Sequence, residues 1–230
     1  VPQRNELLEF FPVPINFFTI SPDITKQSLD VILSEMKTKC KDKKAADNVI
    51  SFCKTNDINT YQSSDDIYKN KKFEFLVDEI FDCAYTYCDN TNIDVENFEI
   101  TMMWYNVYSK NGENGEHFHP NSFLSGIFVL QDDEVDKNLK LNTPVPGRTI
   151  FMNPIMQNFV IQPTTKDAGS KYYTTNVIPC LTSGTLILFP SWLRHAVSKH
   201  PGENYRVTVA FNLMLRGKAG KKRLLNYIEY

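Results

Sequence analysis

The chain has 230 residues, 42% of them hydrophobic and 13% aromatic, with a formal net charge of −2. That is ample material for a large core, and it excludes a disordered chain or one drawn to nucleic acid or an acidic surface by net charge alone. Five cysteines, Cys40, Cys53, Cys83, Cys88 and Cys180, are odd in number, widely spaced and free of CxxC. This argues against a disulfide framework or a zinc knuckle and for a reducing, cytoplasmic setting.

No apolar run approaches the roughly 18 residues that a membrane helix needs, so no membrane partner is expected. The start at Val1 lacks a charged-then-apolar leader and an initiator methionine, as expected of a trimmed chain without a secretory signal. The expected organisation is one domain over residues 1–230. Residues 1–96 supply a strand and supporting helices, 97–215 a β core, and 216–230 a tail.

In chain order, the stretch from Glu9 to Phe18 places two prolines inside an apolar run, which excludes a helix and predicts an extended edge strand. From Ser21 the pattern becomes helical. Leu29, Ile32, Leu33 and Met36 share one face, with Ser21 or Asp23 as the N-cap, predicting a helix over 25–39. Residues 41–54 are charged and weakly helical, and 55–66 read as a polar surface loop. Helical spacing resumes over 73–87 through Phe75, Leu76, Ile80, Phe81 and Ala84. Both helices should pack outside a sheet, and their cysteines and aromatics are core rather than chemistry.

After Asn97 the texture is β. Alternation puts Ile100, Met102, Trp104, Asn106 and Tyr108 on one face, and Gly112 and Gly115 turn the chain toward His117. His117 and His119, read as residues i and i+2 of one strand, share a face with Cα atoms roughly 6.5 Å apart, so both rings can converge on one ion. The apolar run from Phe123 to Leu130, interrupted by Ser125 and Gly126, predicts a buried strand behind them.

Residues 132–183 are harder to read. They are acidic at first, then carry Pro144, Pro146 and Gly147, then short strand-like pieces at 148–152 and 159–162. A long excursion of this kind between site-bearing strands suits a pocket rim, with Tyr172, Tyr173 and Asn176 as candidate substrate contacts. The last block is regular: a strand over 185–189, a turn at Pro190 and Ser191, then His195, then a strand over 205–215. Arg206, Thr208, Ala210 and Asn212 alternate against Val207, Val209, Phe211 and Leu213. An arginine opening an apolar strand needs an anion, either a ligand or an internal carboxylate. The basic tail, with Lys218, Lys221, Lys222 and Arg223, reads as a solvated helix face.

All four histidines, His117, His119, His195 and His200, fall in two short stretches. Two histidines one residue apart plus a distant third is how strands collect ligands for one metal ion. His117, His119, His195 and Arg206 follow in the order seen in the iron(II)- and 2-oxoglutarate-dependent oxygenases, which this chain resembles. Thr208 resembles the Arg-x-Ser/Thr pair of that superfamily, and Asn106 to Tyr108 its Asn-x-Tyr contact in the nucleic-acid demethylase branch. The runs FPVPI, HFHPNSFLSGIF, GTLILFPSWLRHAV and RVTVAFN look like an oxygenase branch common in marine bacteria and their phages, for which a host cytoplasm would be the setting.

The resemblance implies a jelly-roll core, the double-stranded β-helix, with flanking helices. It further implies iron(II) on His117, His119 and His195, and 2-oxoglutarate on Arg206, Thr208, Asn106 and Tyr108. With dioxygen, these would convert 2-oxoglutarate to succinate and carbon dioxide while hydroxylating a C–H bond. A protein or peptide side chain is the expected substrate, and nucleic acid is not.

One position departs from that pattern: His119 stands where most members have aspartate. Three neutral imidazoles leave the ion its full +2 charge, which favours an anionic cosubstrate and weakens the charge term holding the metal. Glu116 should point to the opposite face, and Asn121 is a weak substitute. Two other readings stay open: a cupin-type three-histidine enzyme that does not use 2-oxoglutarate, and a non-catalytic jelly-roll binding module.

Overall fold

The computed structural model describes residues 11–39, 59–132, 147–155, 164, 166, 174–201, 205–220, 223 and 227–229. Strand β1 (Asn16–Thr19) leads into helix α1 (Pro22–Lys39). The helix begins three residues earlier than the periodicity predicts. The Ser21 hydroxyl accepts from the Ile24 amide at 3.2 Å, so Ser21 is the N-cap and Pro22 takes the first helical position, where its missing N–H costs nothing. Helix α2 (Glu74–Thr91) runs four residues past the expected end, because Asn92 closes it in the left-handed conformation (φ 55°).

Eight strands then divide between two sheets. They are β3 (Asn97–Tyr108), β4 (Asn114–His117), β5 (Leu124–Gln131), β6 (Thr149–Met152), β7 (Asn176–Val177), β8 (Thr185–Pro190), β9 (His195–Val197) and β10 (Arg206–Arg216). The larger sheet has the order β1-β8-β5-β10-β3-β2, in which β2 is Thr60–Gln62, and the smaller has β4-β9-β6-β7. The pairings in both are antiparallel, and apart from β6 to β7, which pair with each other, successive strands from β3 on cross from one sheet to the other, which makes the fold a jelly roll.

Period-2 alternation divides the core in two. Leu124, Phe128, Leu130, Leu186, Leu188, Val207, Val209, Phe211 and Leu213 face the helices, packing with Ile32, Leu76 and Ile80. Ile127, Val129, Ile187 and Phe189 face inward and meet Phe151 of the smaller sheet. Gly126 sits opposite Phe211 on the neighbouring strand, and a Cβ there would lie 2.1 Å from that ring. The aromatic ring takes the space a side chain would need.

Several expectations change. Thr60–Gln62, expected within a loop, form edge strand β2 against Tyr108, Val107 and Asn106; three residues are too few to show periodicity. Ile100 joins the helix-facing core instead of the face of Met102 and Trp104, because a β-bulge at Thr101 reverses the alternation. Among the described residues the tail is largely extended, not helical, over 216–220 and 227–229, with Arg223 in a 3-10 turn. Gly217 and Gly220 have positive φ (89° and 79°), and β11 (Lys218–Ala219) pairs with β12 (Ile228–Glu229). The stretches 41–54 and 159–162, with Tyr172 and Tyr173, lie outside the described residues. Among the described residues no helix is long and apolar enough to cross a membrane.

Candidate metal centre and carboxylate pocket

Strand pairing brings the distant histidines together. His117 ends β4, His195 begins β9, and the two are direct antiparallel partners. His119 is not on the strand with His117, as the i, i+2 reading required. The strand stops at His117, and the His119 amide instead donates to the Ser191 carbonyl at 2.9 Å. That one backbone bond returns the ring to the cluster. Ligand atoms of His117, His119 and His195 all lie within 4.8 Å of one another.

The ring protonation of two of them is fixed by carbonyls. Nδ1 of His117 lies 2.7 Å from the Gly115 oxygen, and Nδ1 of His195 lies 3.0 Å from the Leu193 oxygen. A carbonyl only accepts, so both Nδ1 atoms carry the proton and both Nε2 atoms keep a lone pair for a metal. Burial, more than neighbouring charge, pushes the His119 and His195 pKa down to about 4. Neutral imidazole, the form that ligates, is therefore the resting form at neutral pH. Trp104, Phe151 and Phe189 wall the centre, with ring centroids 5.7 Å from His119 and 5.9 and 5.0 Å from His195, respectively.

Arg206, at the start of β10, points between the sheets and is only 1% exposed. Its Nη2 donates to Thr149 Oγ1 at 3.2 Å, while its Nε and Nη1 have no hydrogen-bond partner. Two unsatisfied donors on a buried cation are costly, and an anionic ligand would satisfy both. The nearest internal acid, Asp132, is 4.0 Å from Nε and is held by Arg148, which also donates to the Leu181 carbonyl at 3.0 Å. Among the described residues, two buried guanidiniums thus share one carboxylate.

Thr208, Asn106 and Tyr108 all lie near the start of β10, which carries Arg206. Thr208 and Asn106 are buried cross-strand partners, and Tyr108 lies beneath the guanidinium, 5.7 Å from ring centroid to Cζ. Burial raises the Tyr108 phenol pKa, so it stays protonated as a donor. Thr149, which touches Arg206, is two residues from Phe151, which pairs with His195. That step along the strand is roughly 6.5 Å, on the scale of a five-carbon dicarboxylate.

Other candidates fall away from the centre. Glu116 pairs with Arg194 at 2.5 Å on the outside, and Asn121 is exposed in the left-handed conformation. Asn176 lies on β7 opposite Met152, with its side chain exposed. Arg148, Asp132, Thr149 and Ser191 were not marked by the sequence pattern. Asp132 sits in an acidic run that gives no hint which carboxylate turns inward.

Residues 102–212 match the family described as "Putative 2OG-Fe(II) oxygenase". The matched segment holds the three histidines, the arginine and the strands that carry them. Over this segment, just under half of its length, the chain resembles the 2OG-Fe(II) oxygenases. The chemistry of this class uses iron(II), 2-oxoglutarate and dioxygen, so the chain is an oxidoreductase.

Solved structures with the same fold include a Pseudomonas putida prolyl-4-hydroxylase, at 10% identity and TM-score 0.51, covering 89% of this chain and 94% of that one. HygX from Streptomyces hygroscopicus, with nickel and 2-oxoglutarate bound, matches at 12% identity and TM-score 0.54, covering 88% and 82%. The carbocyclase SnoK from nogalamycin biosynthesis matches at 10% identity and TM-score 0.56, covering 88% and 79%. A comparison with curated proteins returns no match.

Proposed function

We propose that this protein is a 2OG-Fe(II) oxygenase that hydroxylates a protein or peptide side chain, with residues 1–230 forming one catalytic domain. His117, His119 and His195 hold the metal. Arg206 and Thr208 hold the far carboxylate of 2-oxoglutarate, and Asn106 and Tyr108 line the same pocket. The observation that carries this reading is the pairing of a three-histidine cluster with a buried arginine whose Nε and Nη1 have no hydrogen-bond partner.

The donor set suits iron(II): three nitrogen ligands on one side of the ion leave positions open for a cosubstrate. Bound iron would supply oxidative decarboxylation of 2-oxoglutarate to succinate and carbon dioxide, coupled to oxygen insertion into a C–H bond. The chain's own residues do the rest. Arg206 fixes one end of the cosubstrate by a charge-assisted fork, and its burial removes competing water. Thr208 and Tyr108 offer hydroxyls beside it, and Trp104, Phe151 and Phe189 keep the centre dry.

Support for a protein or peptide substrate comes from the near-complete overlap with the prolyl-4-hydroxylase. It also comes from the rim of the centre, where Phe118 and Trp192 stand 53% and 54% exposed beside the metal-holding histidines. Small-molecule oxidation is the second reading, supported by the overlap with HygX and SnoK. The test is iron- and ascorbate-dependent formation of succinate from 2-oxoglutarate, followed by a search for gain of one oxygen atom in peptide and small-molecule panels. No succinate with freshly loaded iron would overturn the oxygenase mechanism. Oxygen gain confined to small molecules would overturn the peptide reading.

A further inference from the structure

His119 differs from its two partners in what lies behind its ring. His117 and His195 are backed by carbonyls, but His119 is backed by the carboxamide of Asn212, whose Nδ2 lies 3.5 Å from Nδ1 of the imidazole. Asn212 is 2% exposed and continues inward to a pair of hydroxyls. Its Oδ1 is 2.8 Å from Ser125 Oγ, which is 2.9 Å from Ser191 Oγ, and both serines are 1% exposed.

The two ends of a carboxamide have nearly the same shape but opposite hydrogen-bond sense, and half a turn about its bond exchanges them. With the amide nitrogen on Nδ1, the imidazole proton must sit on Nε2, and that atom cannot ligate. With the amide oxygen on Nδ1, the proton sits on Nδ1 and Nε2 is free. The two serines satisfy either arrangement. Ser125 donates to Oδ1 in the first. In the second it accepts from Nδ2 and donates onward to Ser191 Oγ. The first arrangement keeps Nδ2 on Met102 Sδ at 3.8 Å and puts the Nε2 proton 3.3 Å from His195 Nε2; a metal ion on the two Nε2 atoms would displace that proton and select the second.

We propose that Asn212, braced by Ser125 and Ser191, is a positioning residue that accepts the Nδ1 proton of His119 through its Oδ1 and thereby holds Nε2 toward the metal. The net proton count of the ring does not change: Nε2 gives its proton to water and Nδ1 takes one. In this chain the amide and two hydroxyls do for a third histidine what a carbonyl does for each of the other two. This rests on the metal centre described under Proposed function.

The test uses the full chain loaded with iron(II) or manganese(II) for affinity, and with zinc for NMR of nitrogen-labelled histidine. In the zinc-loaded parent, the His119 ring should show its proton on Nδ1. Asn212→Leu should weaken metal binding about 10- to 100-fold, the usual effect of losing a residue that orients a ligand, while Asn212→Asp, which still accepts, should bind within a few-fold of the parent. Ser125→Ala removes one brace and should fall between them. A zinc-loaded parent with His119 protonated on Nε2 would overturn the proposal, even if every variant failed to fold. A folded Asn212→Leu that binds metal like the parent would also overturn it. A parent that binds no metal at all would instead bring down the metal centre itself.

Discussion

Arg206 Nη2 reaches across the roll to Thr149 Oγ1 at 3.2 Å, so one side chain of the larger sheet is tied to the smaller sheet next to the metal centre. This bond uses one end of the guanidinium and leaves Nε and Nη1 without a hydrogen-bond partner, Asp132 standing 4.0 Å from Nε. The geometry is that of a fork held by its handle.

Arg206→Ala is expected to weaken 2-oxoglutarate binding about 30-fold or more, because charge-assisted hydrogen bonds of roughly 2 kcal/mol or more are lost. Arg206→Lys should recover only part, since an ammonium keeps the charge and loses the planar fork. Calorimetric titration with 2-oxoglutarate in the presence of manganese checks this. An alanine variant that binds like the parent would remove Arg206 from the site.

His117→Ala or His195→Ala should abolish stoichiometric metal binding, as each would supply one of the three proposed donors. His119→Asp should keep it, because a carboxylate also ligates and adds the negative charge that three imidazoles lack. Equilibrium dialysis against iron(II) under nitrogen distinguishes these outcomes.

The metal-free protein should lose stability as pH falls from about 6.5 to about 4. The His119 and His195 pKa values are held down to about 4 in the fold, against an ordinary 6.5. Between those values the unfolded chain binds more protons, so protonation pulls toward unfolding. Urea midpoints across that range check the slope, and replacing both histidines with glutamine should flatten it.

Gly126→Ala should destabilise the protein by about 1–3 kcal/mol, the usual range for overfilling a packed core. The added Cβ would meet the Phe211 ring at 2.1 Å, between two central strands. Chemical denaturation measures the loss, and metal affinity per folded molecule should not change.

Much of this architecture was legible in residue order because alternation survives wherever a strand has one face on the helices and one inside the roll. Val207, Val209, Phe211 and Leu213 announced themselves against Arg206, Thr208 and Asn212 for that reason. Alternation fails at a bulge, so Ile100 was assigned to the wrong face. The metal cluster was legible from three histidines, yet for a partly wrong reason: His119 owes its place to Ser191, which is far away in sequence. Long-range partners such as Asp132 with Arg148, or Asn212 with Ser125, leave no periodic trace, because a single hydrogen bond obeys no repeat.

Because His119 lies past the end of β4, its identity is uncoupled from the strand ladder. Exchanging that side chain alters no strand pairing and releases the ring's contacts with Asn212 and Trp104. The electrical character of the centre can therefore drift between a cationic and a half-neutralised form by one codon change, while the scaffold that holds the other two rings is inherited intact.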